Sequence, residues 1–152
     1  MAAGNWIVFD LFKQWMSDGT FDMDNDTFNV TLHTNTYVPN IATQSVYADL
    51  TNELSTANGY TNGGLALSAV TYLRAGSTTT FDANDFVWTA SGGSIGPFRI
   101  AVIHKVGTAN AHVNPLVCYC ILDSADITVT TGNTFTIQLN ASGIYTVTGA
   151  TS

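Results

Sequence analysis

Apolar and polar residues alternate along most of this chain. Phe28-Asn29-Val30-Thr31-Leu32 shows the pattern, as do Thr134-Phe135-Thr136-Ile137-Gln138-Leu139 and Ile144-Tyr145-Thr146-Val147-Thr148. A period of two turns one side of an extended strand toward a core and the other outward, as in antiparallel sheet. Strands are predicted at Thr27–Thr34, Leu65–Tyr72, Thr78–Phe81, Phe86–Thr89, Phe98–His104, Leu116–Leu122, Ile127–Val129, Thr134–Leu139 and Ile144–Thr148. Turn signals at Gly76, Asp82-Ala83-Asn84-Asp85, Gly92-Gly93, Gly107 and Gly132-Asn133 separate several of them. This spacing predicts an all-β fold, an antiparallel, jelly-roll-like β-sandwich of about eight to ten strands.

One stretch follows the helical period instead. From Asn5, a capping residue, to about Ser17, the residues Trp6, Phe9, Phe12, Trp15 and Met16 recur at helical spacing, and Gly19 is a stop. Residues 1–19 are therefore expected to form an aromatic helix packed on a sandwich built from residues 20–152, one domain in all. The expected core comprises Phe28, Val30, Leu32, Leu67, Val70, Phe81, Val87, Trp88, Ile100, Val102, Leu116, Phe135, Ile137 and Ile144. Asn35 to Thr61 breaks the pattern. It is polar, weakly periodic and interrupted by Pro39, and loops of that length in compact domains tend to be functional.

Composition sharpens the outward face. Charged residues make up 10% of the chain, against about 25% in ordinary soluble domains. Thr, Ser and Asn stand where Lys and Glu usually do, so the surface is cheap to dehydrate against a partner. The acidic side chains are ten Asp and the single Glu53, a skew toward residues that favour turns and caps. A net charge of -7, with Lys13, Arg74, Arg99 and Lys105 scattered along the chain, argues against nucleic acid and against an anionic membrane surface. No signal-peptide pattern and no apolar run long enough to span a bilayer are read in the sequence. Cys118 and Cys120, two apart on a strand, share a face and are expected as buried or half-buried free thiols, as suits a reducing cytoplasm.

Motifs that could carry chemistry are few. Asp22-Met23-Asp24-Asn25-Asp26 imitates the opening of a calcium loop, but Thr27 and His33 stand where Gly and a bidentate Glu are needed, so a turn is expected. His33, His104 and His112 are not at metal-ligand spacing and are expected to be separate. Asp49 and Glu53 are candidates for a carboxylate pair, of a kind common by chance in polar loops. Gly59-Tyr60-Thr61-Asn62-Gly63-Gly64 predicts a tight reversal before Leu65. No nucleophile elbow or phosphate loop occurs in the sequence, so an enzyme is not expected.

Read in order, the strings Asp26-Thr27-Phe28-Asn29-Val30-Thr31-Leu32, Asp49-Leu50-Thr51-Asn52-Glu53-Leu54, Gly59–Gly64, Phe81-Asp82-Ala83-Asn84-Asp85-Phe86-Val87-Trp88, Asn114-Pro115-Leu116 and Ala141-Ser142-Gly143-Ile144-Tyr145 form one pattern with the aromatic N-terminus. That pattern resembles small virion proteins of tailed bacteriophages and prophages. The resemblance implies a structural role with no catalytic residues and no cofactor. It points to a capsid decoration or cement protein, located in the virion and assembled in the host cytoplasm. The implied partners are the major capsid protein and copies of the chain itself, as a homotrimer. A tail, baseplate or neck protein is the alternative within that class. His104-Lys105 and the two cysteines depart from the pattern. Candidate partner contacts are Trp6, Phe9, Tyr37, Tyr47 and Tyr60. A reading of another class is a carbohydrate-binding sandwich, with Tyr37, Tyr47, Tyr60 and Trp88 as sugar platforms.

Overall fold

The computed structural model describes residues 1–2 and 4–149. The described residues form an all-β fold, with antiparallel sheets and one short α-helix. In order the elements are β1 (Ile7–Val8), α1 (Asp10–Trp15), β2 (Phe28–His33), β3 (Leu65–Ala66), β4 (Thr71–Ala75), β5 (Thr78–Asp82), β6 (Phe86–Thr89) and β7 (Ile95–Phe98). There follow β8 (Ile100–Lys105), β9 (Thr108–Ala109), β10 (His112–Val113), β11 (Leu116–Ile121), β12 (Ile127–Val129), β13 (Thr134–Ile137) and β14 (Tyr145–Thr148). The largest sheet has the order β1-β11-β8-β2-β3, and a second has the order β14-β5-β4. The pairs β13-β6, β12-β7 and β10-β9 complete the set.

Several expected strands split where the chain changes sheets. The run Phe98–His104 breaks at Arg99, because Phe98 pairs with Ile127 of β12 whereas Ile100 pairs with Ile121 of β11. The run Leu65–Tyr72 breaks at Ala69, whose φ of 51° is left-handed; Leu65 pairs with β2 and Thr71 with β5. Each run that reads as one strand therefore conceals two strands in two sheets.

The large sheet explains the most apolar strands. Phe28, Val30 and Leu32 pair beside Lys105, Ile103 and Ala101 on one face, with Cys118 and Cys120 of β11 next to them. This inner face is the core, where Phe28 meets Phe81 of β5 edge-on at 5.3 Å. Both thiols are free and buried, and burial pushes them up, Cys120 to about 11. The outer face carries Asn29, Thr31 and His33 of β2, and Ile100, Val102 and His104 of β8. It is buried too, which is why β8 is buried along its whole length. The cover is the segment of residues 35–64, whose Tyr37 and Tyr60 are buried against the sheet.

That segment also shields the edge of β2 beyond the short strand β3. The Leu32 amide donates to the Tyr60 hydroxyl at 3.0 Å, the Leu54 amide to the Leu32 carbonyl, and the Thr34 amide to the Asn52 carbonyl. Gly64 lets the chain turn in to β3: its φ is +87°, and a Cβ there would lie 2.3 Å from the Val30 carbonyl oxygen. Gly59 is held in the same way, with a φ of +98° and a Cβ position 2.1 Å from the Thr89 carbonyl oxygen. The expected reversal over Gly59–Gly64 is present.

Two expectations are corrected. The helix does not start at Asn5. Ile7 and Val8 pair with Tyr119 and Cys118 of β11, and α1 begins only at Asp10. A backbone satisfied by a sheet edge outcompetes a helix of so few turns, whose nucleation is costly. The N-terminal segment is thus tied to the sheets at two places, because Ala2 also bridges Gln138 beyond β13. The second correction is Val87, which is 47% exposed. Phe86 and Trp88 flank it on the buried side of β6, and consecutive strand residues cannot share a face. Val70, also expected in the core, is half-buried.

Candidate functional site

The polar groups best placed to do something lie between the outer face of the large sheet and the segment that covers it. Glu53, opposite His33 in an isolated antiparallel bridge, is their centre. Its carboxylate accepts hydrogen bonds from the Tyr60 hydroxyl at 2.7 Å, the Gly63 amide at 2.7 Å and the Tyr47 hydroxyl. Burial raises both tyrosines, and bonding to the Glu53 carboxylate raises them further, so they stay protonated as donors.

The two strands supply the histidines. His33 Nδ1 lies 2.8 Å from the Thr51 carbonyl and Nε2 lies 2.9 Å from Thr31 Oγ1. His104 Nδ1 lies 3.0 Å from the Lys105 carbonyl, whereas its buried Nε2 has no hydrogen-bond partner among the described residues. The Tyr47 ring covers His104 with centroids 4.7 Å apart, and Tyr37 covers His33 at the same separation. Burial holds both imidazoles below their usual range, although Glu53 pulls the other way. His33, His104, Tyr37 and Tyr60 of the cluster are buried, whereas Glu53 and Tyr47 are half-buried. Among the described residues no group of three or more His, Cys, Asp or Glu side chains is placed to hold a metal ion.

The other candidates separate. Asp49 does not join Glu53. Burial pushes its carboxyl up, but hydrogen bonds from the Ser45 amide and hydroxyl and the Val46 amide outweigh this and hold it low. In the Asp-rich turn, Asn25 donates to the Asp22 carboxylate, and Asp26 accepts from the Asp22 amide and from Lys105 Nζ at 2.7 Å. These carboxylates are engaged in closing the turn. His112 stacks on Trp15 at 3.8 Å, away from the other two histidines.

The expected partner contacts do not form a surface. Phe9, Tyr37 and Tyr60 are buried within the chain. Phe9 packs near Tyr119 at 5.7 Å, and the Tyr37 hydroxyl donates to Gln44. Trp6 and Tyr47 are half-buried; Trp6 stands edge-on to Phe86 at 6.2 Å. Trp88 is buried as well, so three of the four proposed sugar platforms face inward and that reading loses its residues. Sequence reasoning took the long loop for an outward feature because its polar residues mask the few aromatics that anchor it. The one available clue was Glu53, the only glutamate in a chain of aspartates.

What the surface does offer is open strand edge. β4 and β14 border their sheet with no further strand paired outside them among the described residues. Leu73 of β4 is 66% exposed, and its face continues through Ala75, Thr78, Thr80, Thr146 and Thr148. A hollow of about 460 Å³ separates β14 from the N-terminal segment and is lined by Asn5, Trp6, Val8, Ser142, Tyr145 and Thr146, among others. The cations are occupied: Lys13 pairs with Asp10, Arg99 with Asp126 and Lys105 with Asp26, and Arg74 donates to the Gly76 carbonyl. No family model, no curated protein and no solved structure matches the chain.

Proposed function

We propose that this protein is a non-enzymatic structural component of a tailed-phage particle, a decoration protein that binds the outside of the capsid as a homotrimer. The observation that carries the reading is the open sheet β14-β5-β4, with its threonine face, exposed Leu73 and few charges. Unpaired strand edges are templates for further pairing, and a free-standing domain defends them with lysine, proline or bulges. Here Arg74 is the one charged side chain in β4, and β14 has none. Hydroxyl-bearing faces exchange water for a partner's backbone groups at little cost. A head protein that spans joints between capsid subunits needs such a surface and needs no reaction chemistry.

Cryo-electron microscopy of particles carrying the protein tests this directly. Hundreds of copies on the shell at three-fold positions are expected. Six to a few dozen copies would place the protein in the tail or neck instead, and a particle without it would refute the virion role. A variant ties the binding to the edge. Leu73→Lys puts a charge on an exposed strand position, so stability should change by about 0.5 kcal/mol or less. Occupancy on particles should nevertheless fall. Full occupancy with this variant would remove β4 from the contact.

A further inference from the structure

The hollow beside β14 is bounded by two strand edges, and hydrogen-bond parity fixes what each edge offers. In an antiparallel ladder, one pair of residues exchanges both backbone bonds and the next turns its amides and carbonyls outward. On β14 the Gly149 amide donates to the Ser77 carbonyl, one step beyond the Thr148–Thr78 pair. Every second residue back, Val147 and Tyr145 therefore bond to β5. Thr146 and Thr148 present their amides and carbonyls to the open side. The Thr78 and Thr148 hydroxyls, 3.1 Å apart, agree with this count, because side chains sit closest in the non-hydrogen-bonded pairs. On β1 the Phe9 amide donates to the Val117 carbonyl, one step beyond the Val8–Cys118 pair. By the same count, Val8 points its amide and carbonyl away from β11.

Both edges meet the same space. β1 ends one sheet and β14 ends another among the described residues, and Val8 and Thr146 both line the hollow of about 460 Å³. Just past β13 the chain covers itself: Ala2 bridges Gln138, and the Gln138 amide donates to the Met1 carbonyl. The N-terminal segment then crosses to β11, and β14 receives no such cover. Trp6, in the wall of the hollow, has its indole N–H buried without an acceptor among the described residues. Such an orphaned donor is rare in a finished interior. None of the residues lining the hollow carries a charge.

We propose that this hollow is a strand-acceptor slot, which takes one extended, uncharged segment of another protein as an additional strand beside β14. The segment pairs with the Thr146 and Thr148 backbone, the mode by which open sheet edges capture extended peptides. The slot is a property of the free chain and holds whatever particle the chain belongs to.

Charge and space choose the occupant. A charged residue in the slot would lose water and find no counter-ion in walls made of Asn, Ser, Thr, Gly and apolar side chains. The strand that fits is therefore neutral. A second folded copy fits poorly. Its open edges, β4 and β14, arrive with a sheet behind them, whereas the slot has walls on both sides. Each copy also carries a net charge of -7, so two copies repel.

The probe is a peptide of about six residues, the usual strand length, with blocked ends and alternating threonine and valine. The control is the same peptide with glutamate at its central positions. Titrated into the full chain and followed by NMR and amide exchange, the neutral peptide should protect the Thr146 and Thr148 amides about tenfold or more. The glutamate peptide should bind more weakly. Thr146→Pro removes an outward amide and spares the bonds to β5, as edge strands tolerate; it should weaken binding about tenfold. Leu73→Lys, on the far edge of the same sheet, should leave binding unchanged, which separates a failed slot from a failed β4 contact. Should the proline variant fail to fold, a peptide N-methylated at every residue replaces it on the native chain, and its binding should fall by a similar factor. The slot is overturned if millimolar neutral peptide leaves Thr146 and Thr148 unprotected, or if the glutamate peptide binds equally well. Undiminished binding to the proline variant, or by the methylated peptide, would also sink it, as would loss of binding in Leu73→Lys. Protection of these amides that rises with protein concentration alone would put a second copy in the slot and refute a partner segment.

Discussion

Removing residues 1–8 is expected to lower the melting temperature by roughly 10 °C, about 3–5 kcal/mol in a chain of this size. The segment ties two sheets together. Ala2 bridges Gln138 and the Met1 carbonyl accepts from the Gln138 amide, while Ile7 and Val8 pair with β11. Trp6, between these points, stands edge-on to Phe86. Truncation would strip the outer edge of β11 and uncover part of Phe86. Losing one half-buried tryptophan is worth about 1.5–3 kcal/mol, and the lost ladder bonds add about 0.5–1.5 kcal/mol each. Thermal denaturation followed by circular dichroism gives the answer. A melting temperature unchanged within 2–3 °C, about 1 kcal/mol, would show that the segment is a detachable arm rather than a strap. Loss of particle binding on truncation would therefore mix folding with contact, which makes Leu73→Lys the cleaner probe of the interface.

The class of fold was legible because strict alternation leaves little else possible. Phe86–Thr89 and Ile127–Val129 stand where the pattern put them. What the pattern could not show was the sharing of one run between two sheets. Arg99 and Ala69 interrupt apolar stretches through pairing partners far away in sequence, and nothing local marks the break. The N-terminal segment misled for a related reason. Trp6, Phe9, Phe12 and Trp15 fit a helix, but Ile7 and Val8 are β-branched and found a sheet edge to join. The histidine–glutamate cluster was hidden most deeply. His33 and His104 share a face only because β2 and β8 are antiparallel neighbours in one register. Glu53 reaches them across a loop whose composition reads as solvated. Two tyrosines and a glycine amide, rather than a cationic partner, accommodate that carboxylate.

Replacing Glu53 by alanine is expected to destabilise the protein by about 3 kcal/mol, whereas Glu53→Gln should cost about half as much or less. Alanine leaves the Tyr47 and Tyr60 hydroxyls and the Gly63 amide without their shared acceptor. An orphaned buried donor costs about 1–3 kcal/mol. The three do not add in full, because Tyr47 is half-buried and water can reach it. Glutamine keeps one carbonyl oxygen for Tyr60 and Gly63, and the Tyr47 hydroxyl can rotate to accept from the new amide. The two variants also differ in their effect on the histidines. Both remove the negative charge that favours imidazolium, so His33 and His104 should titrate at still lower pH, but only alanine also loosens the cover. Urea denaturation at pH 7.5 separates them: alanine should shift the midpoint strongly and glutamine weakly. Equal stability of the two variants would mean that the cluster contributes charge rather than hydrogen bonds. An alanine variant as stable as the parent would mean that Glu53 does not hold the segment on the sheet.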